Sequence, residues 1–213
     1  MFLSSLLDWI FPHTCLLCQR GESLLCDQCQ RSLPLQPQTI EVVGLERTLI
    51  ATDYQQETVQ ALIKQFKYHN LPQLGQHLAP LLIQLVTLQA MDQDWILVPI
   101  PLHAKRLRER DYNQCQLLAE IIGKHFNWPV CSVLQRQRST RAQAKLNKQQ
   151  RLKNMAGAFS LSSTTILNNR NIILIDDVVT TGATLEAAAA VLRPLQPARI
   201  WGLALARNQS LRH

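Results

Sequence analysis

The run Ile172-Ile173-Leu174-Ile175-Asp176-Asp177-Val178-Val179-Thr180-Thr181-Gly182-Ala183-Thr184 constrains the fold of this chain more than any other stretch. Its four leading apolar residues read as a strand buried on both faces, which requires a sheet with helices packed against it. Thr184 to Leu192 is an Ala-rich helix that ends at Pro194, because proline cannot continue the backbone ladder. Asp176 to Gly182 is then a loop between a buried strand and a helix N-terminus. Amides and the positive end of the helix dipole point out of such a loop, so it is an anion site. Thr180, Thr181 and Thr184 add hydroxyl donors, and Gly182 lets the backbone approach an anion without a Cβ in the way. Asp176 and Asp177 would repel a phosphate placed on top of them, but beside it they can accept hydrogen bonds from vicinal hydroxyls. A sugar with a 5-phosphate and free 2- and 3-hydroxyls meets both demands; an ordinary turn with an Asp cap is the alternative.

The rest of the chain repeats the alternation of strand and helix. A strand near Thr48 to Thr52 precedes helices from about Thr58 to Phe66 and from about Leu74 to Leu88. Trp95 to Pro99 is a short strand, Asn113 to His125 carries Leu117, Leu118, Ile121 and Ile122 at helical spacing, and Arg199 to Leu205 is a last strand. The expected fold is α/β, a parallel sheet flanked by helices. The Pro and Gln stretch Pro34-Leu35-Gln36-Pro37-Gln38 separates a small head, 1–38 with its linker, from a main domain, 39–213.

In the head, Cys15 and Cys18 form one CxxC knuckle, and Cys26 and Cys29 form another after seven intervening residues. That spacing lets four thiolates converge on Zn²⁺ in a closed, structural site. A head this short cannot build its own core, so the metal would fold it; an iron–sulfur cluster is the alternative. His13 is surplus to a filled coordination shell, and Cys115 and Cys131, in apolar surroundings, read as buried fillers. The apolar opening Met1 to Phe11 lacks a basic flank and carries Asp8, so it reads as a retained amphipathic lead-in and not a signal peptide. Gln84 and Gln89 interrupt the longest apolar stretch well short of the roughly 20 residues that span a bilayer. A cytoplasmic protein without membrane insertion is expected.

The net charge of +7 is regional: twelve of the 22 Lys and Arg residues lie between His103 and Lys153, against three acids. Such a cluster suits a polyanion, whether a pyrophosphate or a nucleic-acid backbone. Lys105, Arg106 and Arg110, with Arg108, follow the turn Val98-Pro99-Ile100-Pro101-Leu102-His103 and are candidates for a pyrophosphate. Arg136, Arg138, Arg141 and Lys145 lie in a polar, weakly periodic run that reads as a mobile loop able to close over a ligand or to meet DNA. A solvated face is the alternative for either run.

The thirteen positions of the Ile172 to Thr184 run resemble the phosphoribosyl pyrophosphate signature of type I phosphoribosyltransferases. The resemblance implies that Val178, Val179, Thr180, Thr181, Gly182, Ala183 and Thr184 surround the 5-phosphate. It also implies that Asp176 and Asp177 hold the ribose, with Mg²⁺ bridging pyrophosphate and ribose oxygens. Over nearly its full length the chain further resembles the ComF family. That likeness rests on the four cysteines, on Ile63-Lys64-Gln65-Phe66-Lys67-Tyr68, and on Val98 to Leu102 with Arg106, Arg110, Tyr112, Asn113 and Gln114. It rests also on Arg141, Gln143, Arg151, Asn154, Ala158, Phe159 and Asp176 to Thr184. Asp111 departs from the pattern, which usually has Gly there; an Asp tolerates a left-handed backbone but adds a negative charge.

The ComF resemblance implies a cytoplasmic role in natural transformation, handling incoming single-stranded DNA beside the uptake machinery. Two functions stay open. One is a binding protein with a ribose-phosphate pocket and a basic surface for single-stranded DNA. The other is an active transferase, in which a nitrogen nucleophile displaces pyrophosphate at C1 of the ribose, with Asp176 and Asp177 as catalytic residues that position the ring with Mg²⁺ and the Arg residues stabilising the leaving pyrophosphate.

Overall fold

A computed structural model describes residues 14–21, 23–91, 94–138, 157–162 and 167–209. Five strands form the main sheet: β1 (Gln38–Ile40), β2 (Arg47–Asp53), β3 (Trp95–Pro99), β6 (Asn171–Val179) and β7 (Arg199–Arg207), in the order β1-β2-β7-β6-β3. The pairs β2–β7, β7–β6 and β6–β3 are parallel. The sheet is mixed and not wholly parallel, because the short edge strand β1 returns antiparallel on β2. A second, two-stranded antiparallel hairpin pairs β4 (Leu134–Arg136) with β5 (Phe159–Leu161).

Side-chain alternation along the strands divides the core in two. Ile173 and Ile175 of β6 and Leu203 and Leu205 of β7 face α2 (Glu57–Tyr68), α3 (Leu74–Leu88) and α5 (Gln114–Phe126). Ile172 and Leu174, with Ala204, face α6 (Ala183–Leu192) and the hairpin. Each helix forms where its apolar period is 3.6: Val59, Leu62, Ile63 and Phe66 line one side of α2, and Leu74, Leu78, Leu82 and Leu85 line α3. Phe66 is fully buried, so its truncation to Ala would cost about 3–5 kcal/mol.

The head packs on the same core. Cys15, Leu25 and Leu33 are buried in the cluster that holds α3. Gln30, on the short helix α1 (Asp27–Arg31), donates through Nε2 to the His77 carbonyl at 2.7 Å, and its Oε1 lies 2.9 Å from His77 Nδ1. The Gln36 amide donates to Ala51 O at 2.7 Å, which ties the Pro and Gln stretch to β2.

Three elements depart from the sequence reading. The strand that was to end at Ile175 continues through both acids to Val179, since β7 keeps pairing with it, Asp176 with Ala204 and Val178 with Ala206. Lys105, Arg106 and Arg110, which follow the turn as expected, lie on a helix, α4 (Ala104–Arg110), that the sequence reading did not include. Arg136 is the last residue of strand β4 and not part of a loop. Among the described residues no helix is long and apolar enough to cross a membrane.

Candidate functional site

Strands β6, β3 and β2 all end on the same side of the sheet, and the residues singled out from sequence gather there. β3 stops at Pro99, opposite Ile175, and the Ile100 amide donates to Ile175 O at 3.0 Å. Beyond that point β6 has no β3 partner, and Asp176 and Asp177 follow there. Carboxyl ends of strands in open α/β sheets are where such folds place their ligands.

Asp176 and Asp177 are 8% and 7% exposed. Alternation sends them different ways. Asp177 turns to α2, where Lys67 Nζ lies 2.7 Å from its Oδ1. Asp176 turns to the face of Ile172 and Leu174, where Cys115, at the start of α5, packs with them; its thiol donates to Asp176 Oδ1 at 3.7 Å, and the Asp177 amide donates to the same oxygen at 2.9 Å. Burial, then the Asp177 charge, push the Asp176 carboxyl up to about 7 against the opposing pull of Lys67, the Asp177 amide and Arg136. Burial works against the charge of Lys67, but Asp177 and then Asp176 outweigh it and hold the ammonium above its ordinary value. Burial also pushes the Cys115 thiol up, and both carboxylates reinforce the effect. Cys115 is therefore an uncharged neighbour of the acids rather than a nucleophile, while Cys131 is only half-buried.

The loop after β6 is short, Thr180 to Gly182, and α6 begins at Ala183 with Gly182 as its N-cap at φ 84°. The Ala183 amide donates to Thr181 Oγ1 at 3.5 Å. A Cβ on Gly182 would come within 2.7 Å of Val42 Cγ2. Glycine is required by its left-handed backbone and by Val42, so the space its missing Cβ leaves is filled by protein and not by a ligand. Any anion at this turn meets the amides of the first turn of α6, which have no partners within the helix.

Arg136 acts on the acid pair, its positive charge opposing the upward push of burial on the Asp176 carboxyl. Burial, then the charge of Arg106, lower the Arg136 guanidinium from its ordinary value, while Asp176 opposes the shift. Arg110 is turned elsewhere: its Nη1 donates to Gln114 Oε1 at 3.0 Å, and its guanidinium lies 4.9 Å over the Tyr68 ring. Lys105 and Arg138 are exposed. Arg141 and Lys145 lie outside the described residues, as do His13 and Met1 to Phe11.

Lys67 is the site residue that sequence reasoning missed, although a signal was present. It stands four residues after Ile63 on the buried stripe of α2, where a charge demands a partner. The motif Tyr112-Asn113-Gln114 explains how that stripe is aimed. The Tyr112 hydroxyl and Gln114 Nε2 (3.2 Å) both donate to the Phe66 carbonyl, and Asn113 Nδ2 donates to Ile100 O at 3.0 Å. These bonds fasten the end of α2 and the end of β3 to the start of α5. Asp111 keeps the expected left-handed turn at φ 60°, and Asn70 Nδ2 donates to its carboxylate at 3.4 Å.

Mg²⁺ coordinates oxygen at about 2.0–2.1 Å. The acid pair does not present an open site for it, because the Lys67 ammonium already lies on Asp177. The cysteine cluster fits its metal. One ligand sulfur from each of Cys15, Cys18, Cys26 and Cys29 lies within 4.8 Å of the others, and the Cys18 and Cys26 sulfurs are 3.7 Å apart. Tetrahedral Zn²⁺ with Zn–S bonds of about 2.3 Å places its sulfurs about 3.8 Å apart. The cysteines are free thiols and not disulfides. Although burial opposes it, the amides of Cys18, Cys26 and Leu17 draw the Cys15 thiol down to about 6, a value suited to a thiolate ligand.

Comparison with known proteins matches residues 113–212 to the phosphoribosyl transferase domain family and residues 6–55 to the double zinc ribbon domain family. The matched ribbon segment holds four cysteines, enough for one four-thiolate site. The chain is 32% identical over 158 residues to Competence protein F of Haemophilus influenzae, covering 70% of this chain and 69% of that protein. It is 38% identical over 101 residues to Competence protein ComFC of Bacillus subtilis, 47% of this chain and 39% of that one. It is 28% identical over 198 residues to the DNA utilization protein YhgH of Escherichia coli, 86% of this chain and 84% of that protein.

Proposed function

This chain belongs to the ComF/ComFC/YhgH family, with a phosphoribosyl transferase domain behind an N-terminal zinc ribbon, and on that premise we propose that it handles incoming DNA and carries a pocket for a ribose-5-phosphate group of the phosphoribosyl pyrophosphate type. The observation that carries the ligand class is the meeting, at one strand end, of a buried acid pair and the N-terminus of α6. The amides and hydroxyls from Thr180 to Thr184 take the 5-phosphate. Asp176 and Asp177 accept from the ribose hydroxyls, and Arg106 and Arg136 face the anionic substituent at C1.

The DNA-handling role is supported by the kinship and by the basic stretch His103 to Lys153. Helix α4 buries none of its residues and exposes Lys105 and Arg108. It offers charge to a phosphate backbone without needing base readout. The protein works in the cytoplasm beside the uptake machinery, with 1–38 as its zinc head and 39–213 as its ligand domain.

Calorimetric titration with phosphoribosyl pyrophosphate and, separately, with a single-stranded oligonucleotide tests both halves. The expected outcome is saturable binding of each, with the oligonucleotide affinity falling steeply as salt rises. An oligonucleotide affinity indifferent to salt would end the DNA half.

One observation favours a second reading, an active transferase. Arg136 acts on Asp176 and Arg106 acts on Arg136, so cations stand near the acid where a pyrophosphate leaving C1 would need them. Incubation with phosphoribosyl pyrophosphate and a panel of bases and amines would release pyrophosphate under this reading. Release no greater than that of the Asp176→Ala, Asp177→Ala variant would count against it.

A further inference from the structure

We propose that Lys67 is the resident cation of the acid pair: it keeps divalent metal off Asp176 and Asp177 and makes binding of the ribose-phosphate end of a ligand independent of such a metal. This deepens the ribose-5-phosphate reading and rests on it for its second half only.

Four observations converge. The contact is direct, with Nζ 2.7 Å from Asp177 Oδ1. It is also sheltered, since the two side chains are 17% and 10% exposed, so the pair is not one of the loose surface bridges that solvent dissolves. The backbone that carries Lys67 is fixed, because the carbonyl of the preceding residue, Phe66, accepts from both Tyr112 and Gln114. Finally, a second cation, Arg136, acts on Asp176 and opposes the rise that burial imposes on its carboxyl. Two adjacent buried carboxylates require a compensating cation, and the chain supplies Lys67 in direct contact with Asp177.

An ammonium and a divalent ion compete for the same carboxylate lone pairs and repel each other, so Lys67 must be removed before metal can enter. An ammonium also carries three donors, of which Asp177 takes one. The other two give Lys67 the means to hold a ligand oxygen beside the acids. It is thus a binding residue in its own right.

The full-length, zinc-loaded protein provides the test, read by electron paramagnetic resonance during Mn²⁺ titration. The wild type should show no Mn²⁺ binding that Asp177→Asn abolishes. Lys67→Gln should gain a Mn²⁺ site that the Lys67→Gln, Asp177→Asn double variant loses, and Lys67→Arg, which keeps a cation there, should stay without it. A wild-type Mn²⁺ site that Asp177→Asn removes would overturn the proposal even if Lys67→Gln failed to fold. A folded Lys67→Gln that gained no site would overturn it equally.

In parallel, ribose 5-phosphate is titrated calorimetrically with and without millimolar Mg²⁺. Wild-type affinity should be the same in both buffers. Lys67→Gln should bind about tenfold more weakly without Mg²⁺, the loss of one charge-assisted hydrogen bond, and recover when Mg²⁺ is added. Wild-type affinity that required Mg²⁺ would refute metal independence. If ribose 5-phosphate bound in neither buffer, the ligand reading would fail, while the Mn²⁺ arm would still decide the role of Lys67.

Discussion

The Cys115 thiol donates to Asp176 Oδ1 at 3.7 Å, so one of the two acids is faced by a neutral, weakly polar group, while the other is faced by an ammonium. Burial, then the neighbouring Asp177 charge, bring the Asp176 carboxyl up from 3.8 to about 7. A carboxyl whose pKa is raised in the folded state is tolerated when protonated and costs stability when ionised. Its contribution is therefore fully present below about pH 4 and is lost as pH rises to about 7. Asp176→Asn should gain on the wild type across that window, by about 4 kcal/mol at most, and level off above it. Urea denaturation of both proteins from pH 4 to 8 checks this, and a difference that did not change with pH would contradict it.

Removing the metal should be felt beyond the head. Cys15, Leu25 and Leu33 share a core with α3, and Gln30 holds His77 at both ends of its amide. Purified protein should contain one zinc per chain by mass spectrometry of the metal, since all four ligands lie in one cluster. Cys26→Ser should lose it and lower the melting temperature of the whole protein; an unchanged main transition would mean that the head is energetically separate.

Gly182→Ala meets two penalties at once, a left-handed φ of 84° and Val42 at 2.7 Å from the new Cβ. Together these should destabilise the protein by about 2–4 kcal/mol. Val42→Ala in the same chain should recover the packing share and leave the backbone share. Equal stability of Gly182→Ala and the wild type would show that the turn before α6 is not built as described.

Tyr112→Phe removes one of the two donors to the Phe66 carbonyl and leaves Gln114 in place. The loss should be modest, about 0.5–1.5 kcal/mol, whereas Gln114→Leu, at a fully buried position, should cost more. Chemical denaturation of the two variants ranks them, and the reverse order would reassign the main tie between α2 and α5.

Much of the fold can be read from the chain because burial writes a period into it. Leu74 to Leu88 and Trp95 to Pro99 have the bounds that their apolar patterns imply. Helix α4 is illegible for the converse reason: it buries none of its residues, so its charges carry no stripe. The continuation of β6 through Asp176 and Asp177 is hidden because polarity ends an apolar run, and only the partner strand β7 reveals that pairing persists. Hairpin β4–β5 joins two three-residue strands from separate parts of the chain, too short to show alternation. At the site, the acids, Thr180 to Thr184 and the cysteines announce themselves by local order. Lys67 does not, since its partner is distant in sequence and only the charge on an otherwise apolar stripe hints at it.

On the proposed reading, the end of β6 and the start of α6 recognise a phosphate monoester and a vicinal diol together. Calorimetry comparing ribose 5-phosphate with ribose and with 2-deoxyribose 5-phosphate tests it most directly. Ribose 5-phosphate should bind clearly, ribose not detectably, and the deoxy sugar about tenfold more weakly, the loss of one hydrogen bond to a charged acceptor. Equal affinity for the two phosphates, or no binding of ribose 5-phosphate at all, would contradict it.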